Sequence, residues 1–138
     1  DHDDANDVLQ NTFVKVFQNI NGFKGNSTIY TWMYKIATNE ALNLIKKKSK
    51  HYGVSNEEWI ETKVSRLESD SYFDGDELSI RLQNAVAKLP EKQRLVFNMK
   101  YFDEMKYDNI SEILGTSVGG LKASYHHAVK KIKKQINE

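Results

Sequence analysis

Cysteine is absent from the 138 residues, so disulfides and thiolate zinc sites are excluded and packing alone must stabilise the chain. The same absence fits a reducing compartment. Long apolar runs are missing as well: nothing is long enough to span a bilayer, and no basic stretch followed by an apolar one reads as a signal peptide. A soluble, cytoplasmic protein is the expectation. Proline occurs once, at Pro90. No glycine-rich phosphate loop, His-Glu-x-x-His or nucleophile elbow occurs, so no residue set supports catalysis and no cofactor is implied.

What the chain does have is charge, unevenly spread. The net value of +1 hides +1 over residues 1–49, −5 over 50–77 and +5 over 78–138. Such asymmetry points to an acidic partner for the C-terminal part. The sharpest instance is "EILGTSVGGLKASYHHAVKK", in which no acid follows Glu112 and the next is Glu138.

Apolar periodicity near 3.6 recurs throughout and predicts an all-α protein with no sheet. Val8, Leu9, Phe13, Val16, Phe17 and Ile20 predict a helix over 4–20, introduced by Asp3, Asp4 and Asp7. "NGFKGNST" breaks the pattern, and Ser27 or Thr28 can cap a second helix carrying Ile29, Trp32, Met33, Ile36, Ala37, Ala41, Leu44 and Ile45 and ending in "KKKSK". Residues 50–76 show no sustained periodicity and many acids, which reads as a linker. Within it an amphipathic piece over 57–67, with Trp59, Ile60, Val64 and Leu67, is expected to become ordered in a complex. Further helices are predicted over 78–89, over 91–101 after Pro90, over 107–114 and over 118–136. The expectation is therefore two small helical domains, 1–49 and 78–138, joined by a flexible linker, 50–77.

Over the last two helices, a short helix, a turn of Gly115, Thr116 and Ser117, and a longer helix with a basic exposed face form the pattern of a helix-turn-helix. Val118, Leu121, Tyr125, Val129, Ile132 and Ile136 make its buried stripe, leaving Lys122, Ser124, His126, His127 and four further lysines outside. An acid there would meet phosphates at close range, so an acid-free face suits duplex DNA; a merely solvated lysine face is the plain alternative. Adjacent histidines point about 100° apart, so His126 and His127 lack the i, i+4 spacing of paired metal ligands. On the second predicted helix Trp32, Asn39, Asn43 and Lys46 fall on one strip suited to unstacked bases, although Trp32 at the stripe's edge could equally complete the core. Asp4, Asp7, Gln10 and Asn11 are read onto the outer face of the first helix, where they either dock a basic protein or are simply solvated.

"DANDVLQNTFVKVFQNINGFKGNSTIYTWMYKIATNEALNLIKKK" resembles region 2 of the extracytoplasmic-function (ECF) sigma factors, bacterial RNA polymerase subunits that direct promoter recognition. "LQNAVAKLPEKQRLVFNMKYFDEMKYDNISEILGTSVGGLKASYHHAVKKIKK" resembles region 4 of the same family. The resemblance implies that Asp4, Asp7, Gln10 and Phe13 dock on the clamp helices of the polymerase largest subunit. It implies that Gly25, Asn26, Ser27, Trp32 and Asn39 capture a flipped non-template base of the minus-ten element. It further implies that Lys122, Ala123, Ser124, His126 and His127 read the minus-thirty-five element. Core RNA polymerase, promoter DNA and an anti-sigma factor are the implied partners, and a further helix ahead of the first is implied too. Gly120, Ser124 and His127 stand where the family often has threonine, arginine and arginine; Ala123 stands where serine is frequent, and Asn11 replaces a frequent acid. The alternatives on the residues alone are a stand-alone helix-turn-helix regulator, dimeric on a palindromic site, and an interaction module.

Overall fold

The computed structural model describes residues 2–66 and 75–137, and Leu67 of the amphipathic piece lies outside them. Among the described residues there are seven α-helices and no strand: α1 (His2–Asn19), α2 (Ile29–Tyr52), α3 (Asn56–Val64), α4 (Glu77–Ala87), α5 (Glu91–Phe97), α6 (Tyr107–Leu114) and α7 (Val118–Ile136). None of them is long and apolar enough to cross a membrane. The chain is all-α, in two small helical lobes, the second carrying the helix-turn-helix.

In the first lobe α1 packs on α2. Apolar burial along α1 is sparse. Of the predicted series only Val16 is buried, while Leu9, Phe13, Phe17 and Ile20 are exposed, Phe17 at 76%. The contact is polar instead: Lys15 pairs with Glu40, and Lys48 Nζ lies 3.4 Å from Asp4. Asp4, read from the sequence onto the outer face, is thereby buried, because its carboxylate is drawn in to the α2 lysine. Removing one partner of such a pair would leave a largely desolvated charge uncompensated.

A turn of 3-10 helix, Ile20–Gly22, ends α1. Thr28, not Ser27, caps α2, its hydroxyl accepting from the Thr31 backbone N–H at 3.1 Å. The helix outruns the expected "KKKSK" end and stops at Gly53, whose φ of 66° closes a left-handed C-cap that β-carbon-bearing residues adopt only with strain. Two residues on, Ser55 and Glu58 form a reciprocal capping box, each side chain accepting from the other's backbone N–H at 3.1 Å. It starts α3, on which Trp59 is 9% exposed and Lys63 lies 5.4 Å from the indole. The segment read as a linker thus holds a helix packed on both α2 and α4 without any partner protein. Its cap supplies the start signal, and one buried tryptophan anchors it where no long apolar series exists.

The second lobe has the conventional apolar core. Ala85, Val86, Leu89, Phe97, Ala128 and Ile132 join α4, α5 and α7; Val96, Met99, Met105, Ile110, Ile113 and Leu121 join α5, α6 and α7. Fully burying an aliphatic side chain stabilises by about 1.5–3 kcal/mol, and Val96, Ile110 and Leu121 reach 0% exposure. The helix expected over 91–101 is α in its first half and a π-helical turn over Asn98–Phe102 in its second, with Phe97 stacked between Tyr101 and Tyr125 at centroid distances of 5.0 and 5.9 Å.

The lobes touch. α2 packs on α6, Tyr34 joins the core around Met99 and Ile110, and its hydroxyl donates to the Asp103 carboxylate. Part of the apolar stripe of α2, including Ala37, Ala41 and Ile45, therefore faces a cleft of about 380 Å³ whose far wall includes Leu95 and Met99.

Candidate nucleic-acid interface

The turn between α6 and α7 is fixed from both sides. Gly115 ends α6 in the left-handed region at φ 67°, and the Ser111 hydroxyl donates to the Thr116 carbonyl at 2.6 Å. Ser117 caps α7 by accepting from the Gly120 backbone N–H at 3.2 Å. A Cβ on Gly120 would stand 3.2 Å from both Ser117 Oγ and Thr116 Cγ2, tighter than ordinary contact. Glycine at this position lets the cap and turn close on themselves.

With its N-terminus so fixed, α7 buries Leu121, Ala128 and Ile132 and turns Lys122, Ala123, His126 and His127 outward, with Ser124 half-buried. Ala128 is the buried position that the expected stripe lacked; alanine gives a weak apolar signal, yet it is fully enclosed. Lys122 Nζ lies 5.8 Å from the centroid of the Tyr107 ring, and Lys100 Nζ 4.5 Å from the same ring. Two cations thus lie over one aromatic ring, at distances where ring quadrupole and ammonium attract. The His126 and His127 rings diverge, with centroids 5.8 Å apart and planes at 65°. Lys130, Lys131, Lys133 and Lys134 continue the exposed basic face to the end of the helix.

The second surface lies on α2 and the loop before it. Gly25 adopts φ 75°, which turns the chain so that Asn26 and Ser27 come beside Trp32. Trp32 is half-buried, its indole 5.2 Å from the Phe23 ring at 47°, so one part of it packs and the rest is accessible. Asn26, Ser27, Thr31, Trp32 and Lys35 line a cavity of about 340 Å³ together with Glu112 of α6. Sequence reasoning missed Thr31, Lys35 and Glu112. Lys35 stands one helical turn from Trp32 and could have been found by that spacing, whereas Glu112 comes 80 residues later and only the tertiary fold brings it there. Asn39, Asn43 and Lys46 are exposed farther along the same face and do not line the cavity.

On α1, Asp7, Gln10 and Phe13 are exposed, and Leu9, Val14 and Phe17 extend an apolar surface beside them. Asp4 is not part of that surface. Arg94 is a charged residue that the sequence did not single out: it is 6% exposed, donates to the Leu89 carbonyl at 3.2 Å, and burial pulls its guanidinium below the usual range.

Comparison with known proteins follows the same division. The family model for sigma-70 region 2 matches residues 1–51, and that for sigma-70 region 4 matches residues 79–132. The chain is 34% identical over 144 residues to the ECF RNA polymerase sigma factor SigW of Bacillus subtilis, covering 98% of this chain and 76% of that protein. It is 28% identical to the RNA polymerase sigma factor SigV of the same organism, over 99% of this chain and 78% of the relative. Among solved structures, the sigma factor RpoE in complex with the anti-sigma factor NepR from Bartonella quintana matches with a TM-score of 0.72 at 18% identity. That match covers 99% of this chain and 83% of the other, and shows a shared fold. With both of its lobes matched and a relative of that identity along nearly its whole length, the chain belongs to the ECF RNA polymerase sigma factors.

Proposed function

We propose that this sigma factor engages its promoter through two separate surfaces, residues 1–49 acting on a melted minus-ten strand and residues 78–138 on the duplex minus-thirty-five element. The observation that carries this reading is the α7 face: Lys122 and His126 stand exposed one turn apart on a helix whose entry turn is locked, with no acid between Glu112 and Glu138. Side chains so placed reach base edges in the major groove, while Lys130, Lys131, Lys133 and Lys134 meet phosphates or polymerase. In the first lobe a flipped base enters the Trp32 cavity, stacking on the indole with Asn26 and Ser27 at its edge, and Asn39 holds the strand farther along.

Asp7, Gln10 and Phe13 dock on core RNA polymerase, and the exposed Leu9, Val14 and Phe17 beside them suit a partner surface rather than water. An anti-sigma factor is a further partner; the structural neighbour RpoE is seen with one. The work is binding and strand separation in the cytoplasm, without covalent chemistry. Having two lobes on one chain raises the effective concentration of the second contact once the first is made. A stand-alone regulator is disfavoured because the region 2 match would then have no role.

The direct test is Asn39→Ala in the polymerase holoenzyme. Closed-complex affinity should stay the same while permanganate reactivity of the minus-ten bubble drops; full reactivity would remove Asn39 from strand capture.

A further inference from the structure

Among the described residues Arg94 is the only buried cation, and its charge is incompletely answered. Nη1 donates to the Leu89 carbonyl at 3.2 Å, whereas Nη2, equally shut off from solvent, finds no hydrogen-bond partner in the protein. Glu91 and Glu57 act on the guanidinium through space, and neither makes an ion pair with it. A buried charged donor left unpaired is costly, so such a group calls for an acceptor from outside the chain.

The same residue lines the cleft of about 380 Å³. Arg94 and Asn98 stand four residues apart and form one row, with Leu95 and Met99 as the next. Ala37, Ala41 and Ile45 of α2 supply an apolar wall. Two other polar groups at the cleft are already engaged, since the Thr38 hydroxyl donates to the Tyr34 carbonyl at 2.9 Å and the Tyr34 hydroxyl to Asp103. What stays open is the guanidinium and the Asn98 amide, whose side chain makes no hydrogen bond among the described residues.

Size and chemistry together define an occupant. A volume of this order suits a small molecule, the apolar wall suits a hydrocarbon body, and a guanidinium fork suits a carboxylate. A peptide segment suits it less, because its own amides would enter an apolar cleft whose hydroxyls are spent.

We propose that this cleft is a binding site for a small amphiphile with a carboxylate head and an aliphatic tail, the head on Arg94 and Asn98 and the tail between α2 and the Leu95–Met99 row. On binding, the Arg94 side chain rotates so that Nη2, covered in the free chain, meets the head. None of these residues belongs to the α7 face or to the Trp32 cavity, so the site is independent of the promoter reading.

The test titrates the full chain by calorimetry with sodium decanoate below its micellar concentration, with decanol as the uncharged analogue and acetate as the head alone. Decanoate should fill one saturable site about ten- to hundredfold more tightly than decanol, the range that a hydrogen bond to a charged group adds, and acetate should show no binding. No saturable binding of decanoate would mean that solvent alone answers Arg94, and overturns the proposal. Methyl resonances of Ala41, Ile45 and Met99 should shift during the titration. Shifts confined to Leu9 and Val14, on the exposed face of α1, would show adhesion to another surface and overturn it as well. Ala41→Phe, which fills the cleft, should weaken both ligands by about tenfold or more, and unchanged affinity contradicts the site. Arg94→Met should bring decanoate down to the affinity of decanol; a retained preference removes Arg94 as the partner of the head. Far-UV circular dichroism checks the fold of each variant. Should Arg94→Met not fold, Asn98→Asp, at a half-buried position, sets a like charge beside the head. It must weaken decanoate by about tenfold and leave decanol within about twofold, and equal affinities for both ligands in variant and parent overturn the assignment.

Discussion

The Ser111 hydroxyl donates to the carbonyl oxygen of Thr116 at 2.6 Å, bridging the turn that sets α7 against α6. Gly115 between them sits at φ 67°, and the two features fix one geometry. Ser111→Ala should cost about 1 kcal/mol, and Gly115→Ala about 1–2 kcal/mol because a β-carbon strains the left-handed backbone. Thermal unfolding checks both. A melting temperature unchanged by Ser111→Ala would show that the bridge contributes nothing.

Lys122 is exposed yet lies over the Tyr107 ring, so its cost on DNA binding includes leaving that ring. Lys122→Ala should weaken specific duplex binding by about 1–3 kcal/mol and relax selectivity at one position. Lys133→Ala should weaken all sequences alike and reduce the slope of log affinity against log salt by about 0.9, the signature of one phosphate contact. Fluorescence anisotropy at several salt concentrations separates the two outcomes; identical profiles for both variants would mean that neither lysine reads a base.

The capping box of α3 makes its folding testable without any partner. Ser55→Ala should cost about 1 kcal/mol, and amides across Glu58–Val64 should be protected from hydrogen exchange in the parent and lose protection in Trp59→Ala. Exchange at unprotected rates in the parent would contradict a folded α3.

Alkaline titration bears on the lobe contact. Tyr34 holds its proton more tightly folded than unfolded, because of burial and then of Asp103 and Tyr30 beside it. Its contribution is therefore complete below the ordinary phenol pKa of about 10 and is lost only as pH rises beyond that through the folded value. The Tyr34→Phe stability difference should be constant from pH 7 to about 9 and shrink above about 10, as measured by urea unfolding. A difference that varies across neutral pH would assign it to another group.

Legibility in the sequence followed the kind of signal each element used. The α6 and α7 bounds could be read from a glycine stop, a serine cap and a strict apolar period, all local chemistry. α3 was legible only as an amphipathic piece over 57–67 within a linker, because nine residues with one buried tryptophan give no sustained period, although Ser55 and Glu58 are a cap signature in plain view. The burial of Asp4 was not legible because the contact of α1 with α2 runs through Asp4, Lys48, Lys15 and Glu40, and periodicity of apolar residues is blind to a polar seam. The exposed phenylalanines of α1 carry the same periodic signal as a core. In the candidate sites, exposure on α7 followed from period alone, whereas the Trp32 cavity takes Glu112 from the other lobe, a juxtaposition no local pattern contains.

Two surfaces reading two DNA elements is the claim on which the function rests, and selection by transcription measures it. Core polymerase with the full chain is given templates randomised over the minus-thirty-five and minus-ten segments, and the transcripts are sequenced. The parent should enrich both segments, Lys122→Ala should lose enrichment upstream only, and Asn39→Ala downstream only. Loss at both segments from either variant, or at neither from both, would show that the two strips do not read two separate elements.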